Sequence, residues 1–262
     1  MVTIKEESVL EEKFCSFQID GNATVGMTHK NSGNFYPNGS SKKAFELAKK
    51  VLEITGFYSA VSDKLIIMRA EKHGDRITYF PNNFKTGTTQ RFCDGVIYRG
   101  AGAAIFFPGG CPAIAFRNEK TNISGLLHGG WKSITQDIVE RFFSLWENAG
   151  GRKETTQIIF LPSTCGNCLK YENDGYDYFL KTVYPAIKAM RPDDNDRFIH
   201  TADHSINFNL IGLICELFME KGYKKINEIG ECVCCSGKYW CYYHDDKNGV
   251  KHRNAAFITT LA

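Results

Sequence analysis

The sequence predicts an α+β fold, a single domain over residues 1–262 in which mixed β-sheets are covered by helices. Three observations carry that expectation. Short runs rich in β-branched and aromatic residues alternate with stretches whose apolar residues recur at helical spacing. A content of 43% hydrophobic and 23% charged residues is that of an ordinary folded domain. The 262 residues lie near the upper limit for one core, and no repeat, linker or low-complexity segment divides them.

The elements follow in order. Residues 41–56, "SKKAFELAKKVLEITG", combine a Ser start, helical spacing and a Gly stop, and so predict a helix. "DKLIIMRA" (63–70) reads as a strand leading into "EKHGDRITYF" (71–80), and "DGVIYRGAGAAIFF" (94–107) as two short strands around a glycine turn. "PAIAF" and "ISGLLH", separated by the polar turn "RNEKTN", form a hairpin candidate. Antiparallel pairing there brings Cys111 and His128 to the same end of a sheet.

Beyond the hairpin, "SITQDIVERFFSLWENAGG" (133–151) predicts one long helix capped by Ser133, and "QIIFLP" (157–162) a buried strand. Two further helices are expected over 175–190 and 207–222, then a strand-like "KYWCYYHDD" (238–246), a turn at 247–249 and a last strand in "NAAFITTL". His200, Asp203 and His204 fall in a polar stretch where Asp203 or Ser205 is expected to cap the helix that follows. His29 is read as a loop residue.

Several function classes are excluded by composition. The longest apolar runs fall short of the roughly 18 residues a membrane span needs, and the N-terminus, charged in both signs, does not read as a secretory signal. A cytoplasmic protein with no membrane partner is expected. A net charge of +3, with Lys and Arg interleaved with acids, lacks the footprint of a nucleic-acid binder.

Ten cysteines in such a chain are expected to be reduced, some of them ligands or nucleophiles. Cys15, Cys93 and Cys215 read as packing residues. Cys165 and Cys168 form "CGNC", and Cys232, Cys234 and Cys235 form "CVCC". The crowded second cluster does not read as a zinc knuckle with a two-residue gap, and the clusters lie over sixty residues apart, so no shared zinc site is expected from them.

The chemistry gathers instead at glycine-flanked positions: His73 in "KHGDR", Cys111 in "GGCP" and His128 in "LHGGW". Two imidazoles and a thiolate suit zinc, with copper the lesser alternative, and leave a position for water or substrate. Glycine neighbours let a ligand approach the backbone closely.

"KHGDRI", "GGCPAIAF" and "GLLHGGWKSI", in that order, resemble the "Q-V-H-G", "D-C-x-P" and "A-H-A-G-W-R" blocks of the YfiH-type laccase-domain family. "LPSTCGNCLKYE" and the C-terminal "GECVCCSGKYWCYYHDDKNGVKHRNAAFI" resemble later family segments, so the likeness runs from about residue 27 to the end. It implies a domain of α/β/α type and a zinc site on His73, Cys111 and His128, which serve as metal and catalytic residues. The implied activity is phosphorolysis of adenosine, inosine, guanosine and methylthioadenosine, with adenosine deamination. Trp131 would then wall the pocket, while Lys132, His244 and Arg253 would meet nucleoside and phosphate.

Three departures are visible. Gly110 stands where the family has an acid before the cysteine, Lys132 where it has Arg, and Tyr242-Tyr243-His244-Asp245 where it has "Y-R-R-D". Two alternatives to the phosphorylase therefore stand: a diverged metal-dependent hydrolase or oxidoreductase of the same fold, and a non-catalytic protein that binds a metal or ligand.

Overall fold

The run Lys64–Met68 buries side chains on both faces, and its two-residue alternation separates the layers of the molecule. Leu65 and Ile67 join one core with the helix Ser41–Ile54, whereas Ile66 and Met68 join another between two sheets. The computed structural model describes residues 13–61, 64–70, 73–81, 87–192, 196–246 and 249–262. The N-terminal charged stretch, most of the expected turn at 247–249, and the first residues of the segments 63–70 and 71–80 lie outside the described residues.

In chain order the first half comprises β1 (Phe14–Asp20), β2 (Ala23–Thr28), α1 (Ser41–Ile54), α2 (Tyr58–Val61), β3 (Lys64–Met68), β4 (Ile77–Phe80), β5 (Gly87–Arg91), β6 (Gly95–Arg99), β7 (Gly102–Phe106), β8 (Ala113–Asn118) and β9 (Ile123–His128). The second half adds α3 (Trp131–Ile134), α4 (Ile138–Asn148), β10 (Gln157–Phe160), β11 (Lys170–Glu172), α5 (Asp174–Tyr178), α6 (Tyr184–Met190), β12 (Ile199–Ala202), β13 (Ser205–Phe208), α7 (Leu210–Glu220), β14 (Ile226–Glu228), α8 (Tyr242–Asp245) and β15 (Ala256–Thr260).

Two mixed six-stranded sheets, ordered β1-β2-β15-β7-β3-β5 and β14-β10-β8-β9-β6-β4, lie face to face. Val25, Ile66, Phe106 and Ile258 of the first meet Val96, Ala115, Leu126 and Ile159 of the second. On the outside, α1 lays Ala44, Ala48, Val51 and Leu52 on the first sheet, while α4 and α7 cover the second through Phe142, Trp146, Leu213 and Phe218. The fold is α+β with mixed sheets covered by helices, as expected, and its middle holds two stacked sheets. The strands on either side of the glycine turn at 100–102 account for this, because β6 goes to one sheet and β7 to the other.

Several local expectations are corrected. The helix expected over 133–151 is broken at Asp137, whose left-handed backbone (φ 60°) separates α3 from α4. Ser133 is buried and caps nothing, since its hydroxyl is spent on Asp94. Residues 199–208 form the hairpin β12–β13, turned at Asp203 and His204 (φ 37° and 59°), and Asn209 caps α7 by accepting from Gly212 N at 3.0 Å. The strand-like 238–246 is a loop leading into α8, where Asp245 accepts from Cys241 N at 2.7 Å and closes a turn. Its aromatic composition reflects a wall, with Tyr239 buried beneath it. Cys234 is bonded to Cys241, so not every cysteine is a free thiol; the other eight are. No helix among the described residues is long and apolar enough to cross a membrane.

Candidate functional site

The β8–β9 hairpin forms as expected, with Ala113 opposite His128. Cys111 leads into β8 and His128 ends β9, so both come to one end of the second sheet. Strand β6 flanks β9 with Gly95 opposite Leu127, which sets Asp94 beside His128. The pairing continues there, as His128 N donates to Asp94 O at 2.7 Å.

Asp94 organises the group. His128 Nδ1 donates to its Oδ1 at 2.8 Å, the Ser133 hydroxyl donates to the same oxygen at 3.1 Å, and Gly74 N donates to Oδ2 at 2.9 Å. Binding Gly74 fixes the turn that carries His73, whose backbone is left-handed at φ 44°. The rings of His73 and His128 stand 4.8 Å apart, and Phe106 lies 4.9 Å from His128 on another side. Ligand-type atoms of His73, Asp94 and His128 all lie within 4.8 Å of one another. Cys111 stands outside that group but beside His128, and each shifts the titration of the other.

The electrostatics follow from burial and these contacts. Burial works against charge on His128, but its hydrogen bonds to Asp94 and Cys111 push it up to about 9. Burial would raise the Asp94 carboxyl, yet the donors from His128, Gly74 and Ser133 hold it below the ordinary carboxylate value. Cys111 is likewise raised by burial and lowered further than that by His128 and by the charge of Arg253. His73 is pushed down to about 4, by burial first and the charge of His128 second, and is a neutral imidazole at pH 7.

This donor set fits a divalent ion. His73 is neutral as a ligand must be, and Asp94 occupies Nδ1 of His128, so an ion would bind Nε2 in place of the proton that this ring carries in the metal-free protein, with a carboxylate behind it. Cys111 is biased toward thiolate, the ligating form.

The group lies in a cleft of about 920 Å³. His73, Cys111, His128, Trp131, Lys132 and Arg253 all line it; His244 does not. The cleft takes Tyr242 and Tyr243 from that helix instead, and His244 is exposed. Trp131 stands edge-on to Tyr178 at 6.2 Å, and the Lys132 ammonium sits 5.7 Å from the Trp131 ring. Arg253 packs over Tyr36 and Tyr242 and donates to Asp246 Oδ2 at 2.9 Å. Burial pushes the phenols of Tyr171 and Tyr243 up, with the charge of Cys111 adding to it, so both remain protonated.

The glycines before Cys111 have separate reasons. A Cβ on Gly109 would stand 3.0 Å from the Arg253 guanidinium, so its absence lets that cation lie against the backbone. A Cβ on Gly110 would stand 2.6 Å from the buried Thr164 hydroxyl, which explains why no acid occupies this position here. Gly110→Ala is therefore expected to destabilise the protein by about 1–3 kcal/mol. Thr164→Ala leaves only a 3.9 Å contact at that point and should relieve most of the penalty in the double variant. Denaturant melts of the four proteins check this, and simple additivity would refute it.

Asp94 escaped the sequence reading. No local signal pointed to it, because the choice of β6 as the neighbour of β9, and the register that sets Asp94 opposite His128, belong to the tertiary pairing.

The family model described as multi-copper polyphenol oxidoreductase laccase matches residues 47–260. Among solved structures, the hypothetical protein YfiH of Bacillus licheniformis is similar at TM-score 0.75 and 17% identity, over 94% of this chain and 98% of that one. YlmD of Geobacillus stearothermophilus is similar at 0.76 and 14%, over all of both chains. The Neisseria meningitidis protein NMB0706, of family model DUF152, is similar at 0.71 and 12%, over 95% and 100%. Identities this low show a shared fold. No curated protein matches the chain.

Proposed function

This chain belongs to the multi-copper polyphenol oxidoreductase laccase family, and we propose that it is a zinc-dependent purine nucleoside phosphorylase acting on adenosine, inosine, guanosine or methylthioadenosine, with adenosine deamination at the same site. The observation that supports this reading is one cleft in which the His73 and His128 imidazoles and the Cys111 sulfur face aromatic walls and a cationic edge.

His73, His128 and Cys111 would hold the ion, with Asp94 behind His128, and two imidazoles with a thiolate favour zinc over harder ions. Bound there, the metal supplies Lewis acidity to the nucleoside. Trp131 and Tyr178 offer faces against which a purine can stack. Lys132, which no carboxylate pairs among the described residues, attracts phosphate together with Arg253. An oxygen of that phosphate forms the new bond to C1′ while the C1′–N9 pair departs onto the base. The protonated Oη atoms of Tyr171 and Tyr243 are donors for the leaving purine.

A second reading rests on the Arg253–Asp246 pair, which spends part of the cationic edge. Attack by water would then replace attack by phosphate, giving a nucleoside hydrolase. Inosine and adenosine incubated with purified protein, with and without phosphate and with and without chelator, separate the two by chromatography. Base and ribose 1-phosphate are expected only when phosphate and metal are both present. Base release that ignores phosphate would establish the hydrolase, and unchanged nucleosides with metal bound would reject both.

A further inference from the structure

We infer that Cys165, Cys168, Cys232 and Cys235 form a second metal site, a structural zinc tetrathiolate separate from the cleft group. The strands β10 and β14 are parallel neighbours, and their pairing continues past both ends in a bridge between Ser163 and Cys232. The loops that follow therefore leave the sheet side by side. One carries Cys165 and Cys168, the other Cys232 and Cys235.

The second cluster does contain the two-residue gap. Cys232 and Cys235 enclose Val233 and Cys234, and Cys234 is withdrawn from the set by its bond to Cys241. What remains is a pair of C-x2-C turns, the ligand arrangement of zinc ribbons. The sequence separation that weighed against a shared site is spanned by β11 to α7, and the return of β14 alongside β10 closes it.

The geometry is that of four sulfurs converging on one point. All four lie within 4.8 Å of one another, with Cys168 and Cys235 at 3.1 Å and Cys165 and Cys235 at 4.0 Å. Tetrahedral coordination at a Zn–S distance of about 2.3 Å places sulfurs roughly 3.8 Å apart, which small side-chain adjustments reach. Both turns are hydrogen-bonded, from Cys168 N to Cys165 O at 3.0 Å and from Ser236 N to Cys232 O at 3.1 Å. Cys232 Sγ also accepts from Cys165 N at 3.3 Å and Cys234 N at 3.4 Å, the amide environment that stabilises a ligating thiolate. A redox dithiol would need only the two sulfurs of one turn, whereas here each turn directs its sulfurs at the other.

Such an ion would staple two loops that the bridge alone joins weakly. Thr164 lies inside the first of them, with its amide donating to Gly110 O at 2.9 Å and its hydroxyl against Gly110. The staple thus steadies the backbone next to Cys111. Nothing in this assignment depends on nucleoside chemistry.

The test uses the full chain purified under reductant. In His128→Ala, which disables the cleft group, about one equivalent of zinc should remain by elemental analysis, and in Cys168→Ser/Cys235→Ser that equivalent should be lost. Cobalt(II) exchanged into Cys111→Ala, whose cleft group has no thiolate left, should give intense thiolate charge-transfer bands and the strong visible bands of a tetrahedral site. Thermal stability of the wild type should fall on extraction of this ion by a chelator. Absence of bound metal in His128→Ala, a cobalt spectrum without the thiolate bands, or a Cys168–Cys235 disulfide found by mass spectrometry in protein kept reduced would overturn the assignment.

Discussion

Cys111→Ala is expected to lower turnover by about 1,000-fold, equivalent to roughly 4 kcal/mol of transition-state stabilisation, while shifting the melting temperature by only about 3 °C. The thiol stands in the cleft wall, half-buried, and spends its interactions on His128 and the charge of Arg253 rather than on the core. On the proposed reading its removal would take a ligand from the metal group, yet it leaves His128 paired with Asp94. Steady-state kinetics beside a thermal melt decide the matter. Full activity in the variant would place the chemistry elsewhere, and a collapse of stability would make Cys111 a structural residue.

Asp94→Asn should cost about 10- to 100-fold in metal affinity and turnover and about 2–3 kcal/mol of stability, the worth of hydrogen bonds to a buried charge. The shape is kept, but the hydrogen bonding is not. Asp94 accepts from three donors, and an amide must turn its NH2 toward one of them. If that group faces Gly74 N, the His73 turn is released; if it faces His128, the imidazole is turned. With the carboxylate gone, His128 also loses the partner that lifts it to about 9. Titration of its ring protons by NMR in metal-free protein should show the value falling. An unchanged His128 titration would mean that Asp94 does not govern the site.

The reach of the sequence reading varies along the chain for physical reasons. β8 and β9 were legible because the interaction that defines them is local: two apolar runs, a polar turn between them, and one register. That register alone placed Cys111 near His128. His73 entered through its family likeness and its glycine neighbour, and the structure shows why the neighbour matters, since Gly74 lends its amide to Asp94. Ser133 misled because a serine at the start of an amphipathic run is an ordinary helix cap. Here the left-handed Asp137 restarts the helix, and the hydroxyl before it is drawn to a buried carboxylate.

The aromatic run at 238–246 misled in a similar way. β-propensity describes residues that suit a half-buried surface, and a cleft wall is another such surface. Tyr242 and Tyr243 therefore occupy it from a short helix.

Residue types, local periodicity and the hairpin determined the α+β class and the meeting of a thiol with an imidazole, because those signals arise between residues close in the chain. Asp94 beside His128, the Thr164 hydroxyl that forbids a side chain at Gly110, and the convergence of two C-x2-C turns were decided by the tertiary structure. Each depends on which strands become neighbours in a sheet, and that choice follows from burying whole apolar faces against one another, a condition no local stretch of sequence contains.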